Sequence, residues 1–374
     1  MSLVQIGGSK LRARNSGTLL EEVKGRSNRA QNPTAALIYV INKCHLKCDH
    51  CYESETSHPT HHQLSLDDYD RIFDELAEMG VLWLTFSGGE VFLRRDFLDI
   101  VELARKKRFS VTVYSSGTLI NAKKADRLAK LKVSRIELSI YSHDPVLHDE
   151  FTKTPRSHEK TLRAARLLKE RGINTVLKTN ILSFNKDHLV DFKEMAENIG
   201  VDYSFDPAIN PRTDGDTAPL KYAVTPEDIA RAMAIPELRM TYSKENSQKL
   251  CTGSGHFGKP DEAVCGAARA TMAIGADGGV YPCASFSIHG GSLKDHSLND
   301  IWNRSKLLNE VRHTTMKDFL PTCGSCDVKS TCIPCQAYAY IENEDRLSCN
   351  VGSKLSATGK LLHAQQVISE KLIN

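Results

Sequence analysis

The 374-residue sequence predicts an α/β fold followed by a small cysteine-rich domain. Three observations carry this. Short apolar or β-branched runs alternate with amphipathic helical stretches from Ala35 onward. That regularity fades after about Pro211. Eight of the eleven cysteines then crowd between Cys251 and Cys349. Strand–helix repeats give a parallel sheet with helices packed outside, and six such units are too few to close an eight-stranded barrel. A partial barrel and a doubly wound sheet both fit. In either, ligands bind at the C-terminal ends of the strands.

Taken in order, residues 1–34 are polar and basic with Gly7, Gly8 and Gly25 as breakers, and read as an N-terminal arm. Strands are expected at Ala36–Ile41, Leu82–Phe86, Val111–Tyr114, Ile136–Ile140, Thr175–Ile181 and Val201–Phe205. Tyr69, Ile72, Phe73, Leu76 and Met79 share one face of a helix capped near Ser65. Phe97, Ile100, Val101 and Ala104 mark a second, and Leu189, Phe192, Ala196 and Ile199 a third. Asn210–Pro219 reads as a loop or linker, and a helix begins near Thr225. The expected organisation is an arm over 1–34, a barrel over 35–235, a bridge over 236–264 and the cysteine-rich domain over 265–374.

Composition narrows the function. Lys and Arg number 49 against 46 Asp and Glu, a net charge of +3, so binding nucleic acid by bulk charge is not expected. Ala35–Ile41 is too short an apolar run to span a bilayer, and the N-terminus lacks a secretory signal. A cytoplasmic protein is expected. Its cysteines stand three between Cys44 and Cys51, none from Tyr52 to Leu250, and eight beyond. An odd count with so wide a gap does not suit a disulfide framework, whereas short-spaced thiols in a reducing compartment suit metal or iron–sulfur ligation.

Cys44, Cys48 and Cys51 form a C-x3-C-x2-C run after the first expected strand. Three thiolates hold three irons of a cubane and leave the fourth open to a small molecule. The alternative is a structural zinc site completed by His45, His50 or His58. With FSGGE after the second strand and YSSGT after the third, the run resembles the radical S-adenosylmethionine (SAM) enzymes. The resemblance implies a partial (β/α)6 TIM-type barrel and a catalytic [4Fe–4S] cluster on these three cysteines. It implies SAM contacts from Gly88, Gly89 and Glu90, from the strand ends Ser115 and Ser116, and from Ser139. Asn180, Arg156 for the SAM carboxylate, and His50 beside the adenine complete the candidates. His58, His61 and His62 read either as a metal handle or as a solvated loop.

The C-terminal set contains Cys265, Cys283 in GGVYPC, and Cys323-x2-Cys326-x5-Cys332-x2-Cys335, with Cys349 beyond. A zinc ribbon is the alternative to a cluster there. Together with GSLKDHSLNDIW, in which Leu298, Ile301 and Trp302 are helical core positions, the set resembles the SPASM extension of radical SAM enzymes. CIPC departs from it by one residue. The resemblance implies two auxiliary [4Fe–4S] clusters, one on Cys323, Cys326, Cys332 and Cys349, the other on Cys265, Cys283 and Cys335. Cys251 is the fourth ligand of the latter or an ordinary free thiol.

These parts imply reductive cleavage of SAM to methionine and a 5′-deoxyadenosyl radical, which takes hydrogen from an unactivated carbon. SPASM-bearing relatives mostly act on peptides, which suggests a maturase of a ribosomally made peptide that forms a thioether or carbon–carbon cross-link. A flavodoxin or ferredoxin-type reductant is implied. The short stretch before the first strand leaves no room for a winged-helix leader-binding domain, so leader recognition falls to a separate protein or to the arm. Ala284 stands where sulfatase-maturing members carry an acid. A sugar alcohol or tetrapyrrole substrate remains the alternative, and an iron–sulfur electron carrier or scaffold the non-enzymatic one.

Overall fold

The computed structural model describes residues 31–53, 63–252 and 260–369. The expected His58, His61 and His62 handle and the arm up to residue 30 lie outside the described residues. Six parallel strands follow the sequence pattern: β1 (Ala35–Tyr39), β2 (Trp83–Ser87), β3 (Ser110–Ser115), β4 (Arg135–Ser139), β5 (Thr175–Asn180) and β6 (Asp202–Asp206). Helices connect them: α1 (Leu66–Glu78), α2 (Phe97–Lys106), α3 (Ala122–Lys130), α4 (Pro145–Thr152), α5 (Ser157–Glu170) and α6 (Leu189–Ile199). They form the partial (β/α)6 barrel.

Each element forms for local reasons. Ser65 caps α1 through a reciprocal box with Asp68, and Tyr69, Ile72, Phe73 and Leu76 turn inward on its one apolar stripe. Phe97, Ile100, Val101 and Ala104 do the same on α2, and Leu189, Phe192 and Ala196 on α6. Strand register stacks the core in rows: Ile38 lies beside Phe86, Phe86 beside Val113, and Val113 beside Ile136. Every one of these four side chains is fully buried.

The cysteine-rich half starts by extending this sheet. β7 (Thr271–Ile274) pairs parallel with β1, placing Ile274 beside Ile38. β8 (Gly279–Tyr281) and β9 (Gly291–Ser292) then add antiparallel, giving one nine-stranded sheet of order β6-β5-β4-β3-β2-β1-β7-β8-β9. The apolar core is correspondingly continuous, with Leu298, Ile301 and Trp302 of α9 (Leu298–Arg304) in it as expected. Three tight C-terminal strands carry no alternation long enough to read as strands in the sequence.

Four further segments surround the second and third cysteine groups: α10 (Lys306–His313), α11 (Leu320–Cys323), α12 (Gln336–Asn343) and α13 (Val351–Ser369). α13 packs across α7 (Pro226–Ala234) and α8 (Lys244–Cys251). The crossing is close at Gly359, where a Cβ would stand 2.6 Å from Ile229 Cβ and 2.8 Å from the Pro226 carbonyl oxygen. Gly359→Val is therefore expected to destabilise the protein by about 3 kcal/mol, read by urea unfolding. An unchanged midpoint would contradict the packing.

Candidate active site

The loop that leaves β1 carries Cys44, Cys48 and Cys51 and is fastened from two sides. Lys47 N–H donates to the Thr152 carbonyl at 3.1 Å and Asp49 N–H to that of Phe151 at 3.2 Å, tying it to the end of α4. The Asp49 carboxylate accepts from Tyr222 Oη at 2.6 Å and pairs with Lys153 Nζ at 2.6 Å, and these partners hold its pKa below the usual carboxylate value against the opposing effect of burial. Arg212 Nε donates to the Cys51 carbonyl at 3.3 Å, and Thr213 N–H to that of Tyr52 at 2.9 Å. The Asn210–Pro219 stretch, read from sequence as a loop or linker, and the turn that follows it to Tyr222 thus clamp the cysteine loop. Asp49, Arg212 and Tyr222 escaped the sequence reading because their partnership joins positions up to 173 residues apart.

The eleven thiols are all unbridged and ten of them fall into three groups. Burial raises the Cys44 thiol to about 11 and pushes Cys48 and Cys51 up as well, and Cys44 and Cys48 also feel their neighbours in the loop. Cys283, pushed up to about 12 by burial, interacts with Cys335 and Cys265. Cys332, also at about 12, interacts with Cys323, Cys349 and Cys326. Ligation needs the thiolate, so each group releases protons as it takes up metal.

A tetrahedral zinc with Zn–S near 2.3 Å holds its sulfurs about 3.8 Å apart. Among the described residues, the one set of three such ligand atoms lying within 4.8 Å of one another contains no cysteine. No three thiols among the described residues lie all within 4.8 Å of one another.

Cys251 stands apart. It is exposed at the C-terminal end of α8, and burial alone moves its thiol, with no effect from Cys265, Cys283 or Cys335. The structure does not bring it into that group. Tyrosines do bridge the first and second groups: Tyr52 follows Cys51, its hydroxyl lies 3.3 Å from that of Tyr39, and Tyr39 Oη donates to the Ala284 carbonyl at 3.0 Å, next to Cys283. Tyr338, raised by burial, touches the same group electrostatically through Cys335 and Cys283. Tyr52 beside the third cysteine was the sequence signal for this bridge.

The expected SAM residues divide. Gly88 and Gly89 are needed by the chain itself: a Cβ on Gly88, whose φ is +150°, would meet the Ile41 carbonyl oxygen at 2.2 Å, and one on Gly89 the Lys43 backbone at 2.4 Å. Gly89 N–H and Glu90 N–H donate to the Ile41 and Lys43 carbonyls. The glycines thus let β2's end lie flat on the strand end that delivers Cys44, and their amides are committed to it. Glu90 is fully buried and accepts from Phe92 N–H at 3.1 Å, Ser115 Oγ at 2.8 Å, Ser116 N–H at 2.9 Å and Ser116 Oγ. Those donors fill a carboxylate's capacity. Glu90→Gln, which turns a donor toward donors, is expected to cost about 2 kcal/mol in unfolding and to loosen the Ser115–Ser116 strand end; equal stability would contradict this role.

Ser139 hydrogen-bonds the Tyr141 side chain, and Asn180 Nδ2 donates to the Ala208 carbonyl at 3.0 Å, both at strand C-termini. His50 packs between Tyr141 and Phe151, at ring distances of 4.5 and 4.8 Å, and burial lowers its pKa to about 4. Arg156 lies at the start of α5. Its backbone caps α5 with φ +61°, and its side chain, 73 % exposed, pairs with Glu159 at 2.9 Å.

Behind this aromatic group His148, 1 % exposed, accepts the Tyr141 N–H on Nδ1 at 3.0 Å. Burial, helped by His158, lowers its pKa to about 3. A base whose folded pKa is depressed contributes stability above the unfolded value of about 6.5, which is lost as pH falls toward the folded value at about 1.4 kcal/mol per pH unit. Between pH 6.5 and 4.5, wild type should lose about 2–3 kcal/mol relative to His148→Gln in urea unfolding. A difference that stays flat would contradict the buried neutral imidazole.

Residues 38–199 match the model of the radical SAM superfamily, and residues 265–327 that of the SPASM iron–sulfur cluster-binding domain. The chain is a radical SAM enzyme. It is 27% identical to a PqqA peptide cyclase of Granulibacter bethesdensis, over 84% of this chain and 85% of that protein. It is 24% identical to an AdoMet-dependent heme synthase of Nitratidesulfovibrio vulgaris, over 85% and 91%. Its fold is like that of Streptococcus suis SuiB bound to the precursor peptide SuiA, with a TM-score of 0.65, 18% identity and coverage of 91% and 82%. A radical SAM enzyme with a SPASM domain binds [4Fe–4S] clusters and AdoMet, and both domains carry cysteines to ligate them. The electron-carrier alternative is set aside by this membership. Among the described residues no helix of the radical SAM enzyme is long and apolar enough to cross a membrane.

Proposed function

We propose that this radical SAM enzyme abstracts hydrogen from a peptide and releases an oxidised product carrying a thioether or carbon–carbon cross-link. The likeness to PqqA peptide cyclases, which spans both domains, carries the reading. Cys44, Cys48 and Cys51 would hold the catalytic cluster to which AdoMet binds. Together the cluster and AdoMet supply a deoxyadenosyl radical, which reaches carbons that acid–base side chains cannot. The Ser115–Ser116 strand end, Ser139 and Asn180 border AdoMet, while Glu90 fixes that strand end and His50, Tyr141 and Phe151 exclude water. Cys265, Cys283 and Cys335 would hold one auxiliary cluster, and Cys323, Cys326, Cys332 and Cys349 the other. Clusters held there would supply an acceptor for the one electron the substrate radical must lose, and a flavodoxin or ferredoxin-type protein would supply the initiating electron. A separate protein or the arm presents the peptide leader.

A second reading, action on a tetrapyrrole, is favoured by the equally extensive likeness to heme synthases. Anaerobic turnover with AdoMet and reductant separates the two. On the first reading, a short peptide encoded in an open reading frame next to the gene stimulates deoxyadenosine formation and loses two hydrogen atoms per cross-link. Deoxyadenosine stimulated by a tetrapyrrole, with the peptide's mass unchanged, would overturn the first reading.

A further inference from the structure

On the barrel's strand-C-terminal side, but outside the cysteine loop, the segment after β4 meets the start of α6. There His188 Nδ1 lies 2.9 Å from Asp191 Oδ2, and His143 Nε2 lies 4.0 Å from the same oxygen. Ligand nitrogens and oxygens about 2.0–2.1 Å from a tetrahedral divalent ion stand about 3.4 Å apart. The two observed spacings bracket that value, and the three ligand atoms all lie within 4.8 Å of one another. His143 Nδ1 is buried without a hydrogen-bond partner, so the ring is not held by its own chain through that atom. Beside the three residues opens a groove of about 440 Å³ lined by Asp191, Arg166, Glu194 and Asn198, which leaves room for water or an added ligand on the ion.

We propose that His143, His188 and Asp191 form a binding site for a divalent transition-metal ion of the zinc type. Two imidazoles and one carboxylate are a donor set such ions favour, and the partial exposure of all three gives the ion a path in. The ion would bridge two loops that already share one side chain. Asn185 Nδ2 donates to the Tyr141 carbonyl at 2.8 Å and to the Asn180 carbonyl at 2.9 Å, linking the chain after β4 to the end of β5. Metal at His143 and His188 pins the same two segments from outside, and thereby stiffens the strand ends that carry Ser139 and Asn180. The bland alternative is a local His188–Asp191 hydrogen bond at the first turn of α6, with His143 merely adjacent.

The test uses the full chain with its iron–sulfur centres reconstituted, so that the cluster thiols are occupied. Zinc is titrated against a chromophoric chelator, and iron is counted before and after. Wild type should take up one Zn2+ more per chain than His143→Ala/His188→Ala at equal iron content. Asp191→Asn, which keeps shape and hydrogen bonding, should weaken that uptake at least tenfold. Zinc should raise the thermal midpoint of wild type and not that of the double variant. Equal zinc uptake by all three proteins, or uptake by none, would overturn the proposal.

Discussion

Cys48→Ala abolishes deoxyadenosine formation from AdoMet while the C-terminal thiol groups still take up iron. The expectation follows from the loop's construction. Cys48 is the middle thiol of three, and Cys51 N–H donates to its carbonyl at 3.1 Å, so the turn that aims Cys51 passes through it. Alanine keeps that turn and removes only sulfur. A centre with two thiolates cannot hold three irons, so the loss should be complete rather than partial. Residual cleavage at a tenth of the wild-type rate or more would mean that another group supplies the third ligand. His45 is the neighbour to suspect, but its Nε2 is taken up with Thr118 Oγ1 at 2.7 Å.

Gly89→Ala should be nearly as damaging without touching any thiol. The added methyl would lie 2.4 Å from the Lys43 carbonyl carbon and oxygen and 2.6 Å from the Asn42 carbonyl oxygen. Those atoms are backbone and cannot rotate aside. Relief requires moving residues 42–43, which lead directly into Cys44. The expected cost is about 3 kcal/mol in unfolding, with AdoMet cleavage lowered at least tenfold as the cysteine loop shifts. Wild-type stability and turnover in this variant would show that the GGE segment does not rest on that strand end.

The barrel was legible because its signals are local. Ser65 with Asp68 announces α1, and the inward stripe of Tyr69, Ile72, Phe73 and Leu76 gives its face, all within fourteen residues. The first thiol group was legible for the same reason, while the grouping of Cys335 with Cys265 and Cys283 rather than with its neighbour Cys332 came only from the resemblance, and the electrostatic contacts follow it. What stayed hidden depends on long-range pairing. β7 is four residues long and becomes a strand by pairing with β1 across more than two hundred positions. The Asp49–Tyr222 and Arg212–Cys51 contacts likewise have no local trace. The Arg156–Glu159 pair, three residues apart, is local but lies on the surface, and sequence alone does not announce it.

The iron content of the anaerobically reconstituted chain tests most directly whether the cysteines form three independent iron–sulfur centres. The account predicts about twelve iron atoms per chain in wild type, and about eight when Cys44, Cys48 and Cys51 are all replaced by alanine. An unchanged count in the triple variant, or zinc in place of iron at either C-terminal group, would contradict it.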